Sequence, residues 1–301
     1  MRIIASLADL KLITRVSEAL NVTQPAISKQ ITELERIVGD PLVTRDRNRL
    51  HLTPIGIRLA KHAKEVLSQL DRAAFDIEAM ASGVSGSVSI GVVSSVAPTL
   101  LPGTIALFKN NTPDVLVSVT EGHFVGLYPS LEVGELDLLI ARIWHPQELP
   151  GIIQKTLYSE PLVVVVGRSN PLSRKNDLTW SDVVNFPWIM PQSNSVARRA
   201  VDALFAQNGL SPPRNMISSL SVTLNLEIFA AMPAIGLLPK SLAQTYAGRG
   251  EIVILPLDTQ GFLSETRCFI REGQTDANGA LTLFMKCLEQ TIEDIKTIPF
   301  S

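Results

Sequence analysis

"NVTQPAISKQITELE", residues Asn21–Glu35, is the stretch on which the reading of this chain turns. Ile27, Ile31 and Leu34 recur at helical spacing, yet a proline stands near the front and short polar side chains crowd that end. Proline costs little in a first helical turn, where its missing N–H would lack a partner, and Thr23 is suited to cap the orphan amides. The helix dipole at that end favours phosphate. Such a turn suits the second helix of a helix-turn-helix, which pushes its N-terminus into the major groove. There Gln24 matches adenine, Ser28 either base type, and Lys29 guanine or a phosphate. The three apolar residues then face back onto two earlier helices, Arg2–Leu10 and Ile13–Leu20, with Gln24–Val38 as the third.

Directly after Gly39, "PLVTRDRNRLHLTP" sets a charged tip between apolar flanks, and Leu50 and Leu52 alternate behind it. That pattern predicts a small hairpin, a wing beside the recognition helix. Arg45, Arg47 and Arg49 at its tip suit the DNA backbone or a narrow minor groove. The charge distribution agrees. Residues 1–64 hold 11 Lys and Arg against 6 Asp and Glu, while the remainder holds 16 against 23, a basic head on an acidic body within a net charge of -2.

From Ile57 to Ala81 there is no Gly or Pro, and Leu59, Ala63, Val66, Leu70, Ala73, Ile77 and Met80 are spaced 4, 3, 4, 3, 4, 3. This heptad seam predicts a helix that pairs with a second copy. "SGVSGS", Ser82–Ser87, ends it as a joint. Beyond lie short apolar or β-branched runs, "SVSIGVV", "VLVSVT", "LDLLIA", "LVVVVG", "PWIM", "IGLLP" and "EIVIL", several of them separated by helical segments. Continuous apolar strands alternating with helices predict an α/β body with parallel strands covered on both faces.

Ligands of such sheets bind beyond the strand C-termini, against helix N-termini. "GVVSSVAP" puts Ser94 and Ser95 there, and "MPQSNSVARR" puts Gln192, Ser193, Asn194 and Ser195 there. Serine before a helix is also the commonest N-cap, so each has a purely structural reading as well. Glu121 lines the pocket or merely ends a strand. Cys268 and Cys287 are 19 positions apart with no histidine nearby, which predicts buried reduced thiols and neither zinc nor disulfide. Four histidines show no metal-ligand or nucleophile spacing, and no phosphate loop or G-x-S-x-G is present, so no metal, cofactor or enzyme activity is expected. Apolar runs such as Phe229–Leu238 are too short to span a bilayer, and no signal segment opens the chain, which predicts a cytoplasmic protein.

With these residues in view, "SEALNVTQPAISKQITELERIVGDPLVTRDRNRLHLTPIG" closely resembles the winged helix-turn-helix of LysR-type transcriptional regulators. The family pattern runs T/S-Q-P-A-hydrophobic-S-K/R, L-E, G-x-P-L, an arginine-bearing wing, and L-T-x-x-G. Two departures stand out: the first helix starts short, and Leu12 holds the place of a usual serine. The resemblance implies base or backbone contacts at Gln24, Pro25, Ser28 and Lys29, beside Thr23, with the wing arginines on the backbone. It continues through "LLPGTIALFKNNTPDVLVSVTEG", "GELDLLIA", "EPLVVVV" and "NPLS", which are similar to the family's effector domain, a periplasmic-binding-protein-like (type 2) fold of two α/β lobes. The implied division is a winged helix-turn-helix at 1–56, a linker helix at 57–81, a hinge at 82–87 and an effector domain at 88–301. Within the last, lobe I holds 88–162 and 266–301, and lobe II holds 163–265.

The resemblance also adds Thr223 and Arg142 to the pocket lining, Arg142 being either a counter-charge for an acidic effector or an ion-pair partner of Asp137. "MPA" at Met232–Ala234 and "PWIMP" resemble the subgroup of sugar-uptake and aromatic-acid regulators, which implies an organic acid or a sugar as effector. Double-stranded promoter DNA and a homo-oligomer, a dimer of dimers, are the other implied partners. A competing reading is a cytosolic solute-binding module whose head serves only oligomerisation. The arginine wing counts against it.

Overall fold

The computed structural model describes residues 1–46, 49–82, 86–143, 148–193, 196–259 and 263–297. Arg47, Asn194 and Ser195 lie outside the described residues, as do the side chains of Arg45, Arg49 and Met80. Two compact units form, Met1–Gly86 with Glu132–Leu136, and Ser87–Leu131 with Asp137–Ser301.

In the first unit, α1 (Arg2–Leu10), α2 (Ile13–Leu20) and α3 (Gln24–Val38) are followed by the hairpin β1 (Val43–Asp46) and β2 (Arg49–Leu52), then by α4 (Pro54–Ser82). The three helices carry the bounds their apolar spacing predicts. Ile27 and Ile31 are buried against Leu7 and Val16, with Ile13 and Leu20 alongside, while Leu34 joins a second cluster with Ile4, Ala5 and Leu42. Gly39 ends α3 in the left-handed region at φ 83°, where a side chain would be strained. Thr53 accepts from the Gly56 amide at 3.0 Å, capping α4, and Pro54 follows it at a position that needs no N–H. Gly56 itself lies against the wing base. A Cβ there would stand 2.1 Å from the Leu42 carbonyl oxygen.

The heptad seam of α4 divides. Ala63 is fully buried and Leu59 half-buried in this chain's own head cluster, with Ala60 and Leu67, because α1 lies along the start of α4. Ala63 is therefore corrected: it serves the head core and not a partner helix, while Leu59 packs on that core in part. Val66, Leu70, Ala73 and Ile77 remain exposed, Leu70 at 60% and Ile77 at 70%.

The second unit runs β3 (Ser87–Val92), α5 (Ala97–Asn111), β4 (Leu116–Glu121), α6 (Phe124–Val133, whose last two residues count with the first unit), β5 (Leu138–Ile143) and the long β6 (Ile152–Gly167). There follow α7 (Trp180–Val183), β7 (Trp188–Met190), α8 (Val196–Gln207), β8 (Met216–Ser218), α9 (Val222–Ala231) and β9 (Ile235–Pro239). The chain closes with α10 (Lys240–Gly248), β10 (Ile252–Ile254), β11 (Leu263–Arg271), α11 (Gln274–Ala277) and α12 (Gly279–Thr297). Strand order is β4-β3-β5-β11-β6-β9-β7-β8, with β10 also on β6. Strands β3, β4 and β5 are mutually parallel, as are β7, β8 and β9, and the antiparallel pair β6 and β11 joins the two sets.

Each lobe thus has its own core. Val88, Ile90 and Val92 pack with Leu100 and Phe108 of α5 and Leu281, Phe284 and Leu288 of α12. In the other lobe the run Val163–Val166 alternates between two layers, Val164 and Val166 facing Trp188, Leu204 and Phe205, and Val165 facing Phe229, Leu242 and Tyr246. That two-sided burial is why this half of β6 reads as an unbroken apolar run.

Candidate nucleic-acid interface and effector site

Asn21 closes α2 in the left-handed region at φ 52°, a conformation asparagine tolerates better than most residues, and a short turn leads into α3. Thr23 occupies the N-cap position with extended backbone, but its side chain makes no capping hydrogen bond. The capping role expected of Thr23 is therefore corrected. The hydroxyl is exposed, as are Gln24, Pro25 and Lys29, while Ser28 is half-buried. No acidic residue stands in the first turn of α3, so its positive end is not neutralised locally. Thr32, not singled out from the sequence, continues the strip Gln24–Ser28 one turn on, its hydroxyl donating to the Ser28 carbonyl at 3.0 Å. Its spacing of four from Ser28 was the available signal.

Glu35 was legible only as part of a motif. Its carboxylate accepts the amides of Leu42 at 2.9 Å and Val43 at 3.3 Å, tying the base of the hairpin to α3. Thr53 donates to the Pro41 carbonyl at 2.8 Å, closing the same base from the other strand. The hairpin is thereby held beside the recognition helix, with Arg45 in β1 and Arg49 opening β2.

In the body, strand register locates a convergence. Ile143 at the end of β5 stands level with Glu265 of β11, which faces Ser159 of β6, and Pro239 at the end of β9 faces Leu162 of β6. The C-termini of both parallel sets therefore point at residues 159–162 of β6, the place where open α/β sheets bind ligands. Ser94 and Ser95 follow β3 toward that place and are half-buried. Neither caps α5, whose N-cap is Val96, so the capping alternative does not account for them. Gln192 and Ser193 follow β7 and are exposed. Thr223 is exposed in the first turn of α9, whose cap is supplied by Ser221 to the Leu224 amide at 3.3 Å. Glu121, at the end of β4, is exposed.

At the convergence sits Glu160. Its carboxylate accepts from Arg142 Nη2 at 2.7 Å, from the Ser241 amide at 2.6 Å and from the Ser241 hydroxyl at 2.9 Å. Arg142 Nη1 also donates to Ser264 Oγ at 2.8 Å. Arg142 on β5, Glu160 on β6, Ser264 on β11 and Ser241 at the start of α10 thus form one buried knot across both lobes. Of the two readings of Arg142, the ion pair with Asp137 is corrected: Asp137 accepts instead from Gln274 Nε2 and the Ser89 amide, both at 2.8 Å. Backbone register decides this, since Arg142 faces the crossing strands and not the strand start. Burial pushes the pKa of the Tyr158 phenol beside the knot up. Burial likewise raises the Cys268 thiol to about 11 and that of Cys287 above its usual value. Among the described residues no cluster of His, Cys, Asp and Glu could hold a metal ion, and no helix is long and apolar enough to cross a membrane.

Comparison with known proteins agrees with this architecture over both units. Residues 1–57 match the family described as "Bacterial regulatory helix-turn-helix protein, lysR family", and residues 81–292 match "LysR substrate binding domain". The chain is 31% identical over 229 residues to the Hca operon transcriptional activator HcaR of Escherichia coli, covering 75% of this chain and 76% of that protein. It is 29% identical over 257 residues to the HTH-type transcriptional regulator GbpR of Azospirillum brasilense, covering 85% and 75%. Its fold matches that of CbnR, a LysR family transcriptional regulator, with a TM-score of 0.66 at 22% identity over 97% of each chain. A structure of full-length CbnR with its target DNA matches at 0.65. A head matching a regulatory helix-turn-helix favours DNA reading over an oligomerisation-only role. The chain belongs to the LysR family, and is a DNA-binding transcriptional regulator with an effector-binding domain.

Proposed function

We propose that the first turn of α3 reads duplex promoter DNA through Gln24, Ser28 and Lys29, with Thr23, Pro25, Arg45, Arg47 and Arg49 on or near the backbone, and that a small molecule held between the body lobes modulates this binding. The observation that carries the DNA reading is an exposed polar helix N-terminus, free of acidic residues, braced from behind by Ile27 and Ile31. Two copies join along the outer seam of α4 at Val66, Leu70, Ala73 and Ile77, presenting two recognition helices to a pseudo-palindromic site. Body contacts then join dimers into a tetramer. The effector meets Ser94, Ser95, Gln192, Ser193, Asn194, Ser195 and Thr223 near Arg142, and changes the angle between lobes about β6 and β11. Effector and DNA are then coupled reciprocally by about 1–3 kcal/mol. The protein acts in the cytoplasm, where the DNA is, as a regulator and not as an enzyme.

Selection of bound duplexes from a random pool by the full-length protein tests the DNA reading. Enrichment of a two-armed site, with affinity falling steeply as salt rises, is the expected result. A pool that never converges would sink it.

A further inference from the structure

We propose that the head holds a ligand site of its own, distinct from the body's, which takes a small uncharged apolar molecule the size of a substituted monocyclic aromatic. A cavity of about 220 Å³ lies between α1, α3 and the base of the wing. Ile3 and Ile4 of α1, Ile31 and Leu34 of α3, and Leu42 form its walls, with the exposed Met1 at the edge. The cavity marks a seam in the head core. Ile4 and Leu42 belong to one apolar cluster, against which Leu34 packs, and Ile31 belongs to the other, against which Ile3 packs. Water placed against such walls lacks hydrogen-bond partners, whereas an apolar cavity of about 150 Å³ stays dry and binds benzene. The larger volume here leaves room for a ring with substituents.

Two polar residues complete the lining, Gln30 and Glu33, both exposed and therefore at the rim. The Glu33 carboxylate is already held by Arg36, which donates from Nη2 at 2.7 Å and from Nε at 3.1 Å. The side-chain charges at the rim thus cancel, and a ligand charge drawn in against the apolar walls would lose its hydration without return. The Gln30 amide can meet one polar atom of a ligand whose remainder is buried. By helical period, Gln30 and Glu33 stand on the side of α3 away from the strip Gln24–Ser28–Thr32. A molecule in the cavity therefore leaves the reading face open. It touches α1, α3 and Leu42 at once, so it braces the recognition helix against the base of the wing.

The test is thermal melting of the full-length protein with toluene and indole as probes and glycerol, at the same concentrations, as the polar control. Both aromatic probes should raise Tm saturably, and glycerol should not. Ile3→Phe puts a ring of the protein's own into the cavity and should bind both probes at least tenfold more weakly than the wild type. No rise in Tm up to the solubility limit of either probe would overturn the proposal, as would a rise that Ile3→Phe keeps in full, since the probes would then be bound elsewhere. Should Ile3→Phe fail to melt cooperatively, Gln30→Trp decides, because Gln30 is exposed and a bulky ring there closes the mouth without entering the core. Probe binding weakened at least tenfold in that variant supports the site, and undiminished binding overturns it.

Discussion

Gln24 stands at the first position of α3, exposed and ahead of a proline, where its amide is aimed by the helix and not by any neighbouring side chain. Gln24→Ala should therefore cost about 1–3 kcal/mol on the selected site and relax its base preference, because a bidentate pairing with adenine is lost. Equal weakening on unrelated duplexes, measured by the same titration, would assign the residue to the backbone instead. Leu12 poses the opposite case. It is the N-cap of α2 and offers no side-chain acceptor to the first-turn amides. Leu12→Ser should raise stability by about 0.5–2 kcal/mol, read as a higher melting temperature of the full chain. The thiols give a third check at this scale. Cys268 is 1% exposed with its pKa pushed up to about 11, and Cys287 is 5% exposed. Both should resist a disulfide reagent at pH 8 until the protein unfolds. A thiol held above its unfolded value adds stability in full below about 9, and that contribution is lost as pH rises toward 11.

Helix α4 shows how one sequence pattern is divided between two duties. Its heptad spacing is continuous, yet Ala63 and in part Leu59 are taken by the head core, and the open apolar surface begins at Val66. Exposed Leu70 and Ile77 on an otherwise charged helix leave an apolar strip for a second copy. Leu70→Lys should place charge in that strip and halve the mass seen by light scattering, without altering the melting of the head. An unchanged mass would mean that oligomers form through other surfaces. The wing is a second element whose position no spacing rule reveals. Glu35 and Thr53 hold its base by hydrogen bonds of 2.9 and 2.8 Å, and Gly56 allows α4 to approach the Leu42 carbonyl.

Across the whole body, the Arg142–Glu160 pair joins residues 18 positions apart in sequence and ties strands of one lobe to a helix of the other. Removing one partner leaves a buried charge alone, so Arg142→Ala should destabilise the chain by about 3–5 kcal/mol, whereas Arg142→Met/Glu160→Leu should cost much less. A double-mutant cycle on melting free energies measures this, and additive losses would show that the pair is not coupled.

Local rules were enough for the elements. Apolar spacing set the bounds of α1, α2 and α3, an alternating β-branched run marked β3, and unbroken apolar runs marked β5 and the buried half of β6, because each side chain's fate there depends on neighbours a few residues away. The motif around Gln24 carried the DNA-binding reading for the same reason: its chemistry lies within one helical turn. The effector site was legible only as places, Ser94 and Ser95 after one strand and Gln192 and Ser193 after another. Which carboxylate Arg142 meets was decided by strand register, since Asp137 is nearer along the chain but lies at the start of β5 while Arg142 lies at its end. Composition predicts helices and strands by local burial, but the partner of a buried charge is chosen by how distant strands align, and only the folded sheet contains that alignment.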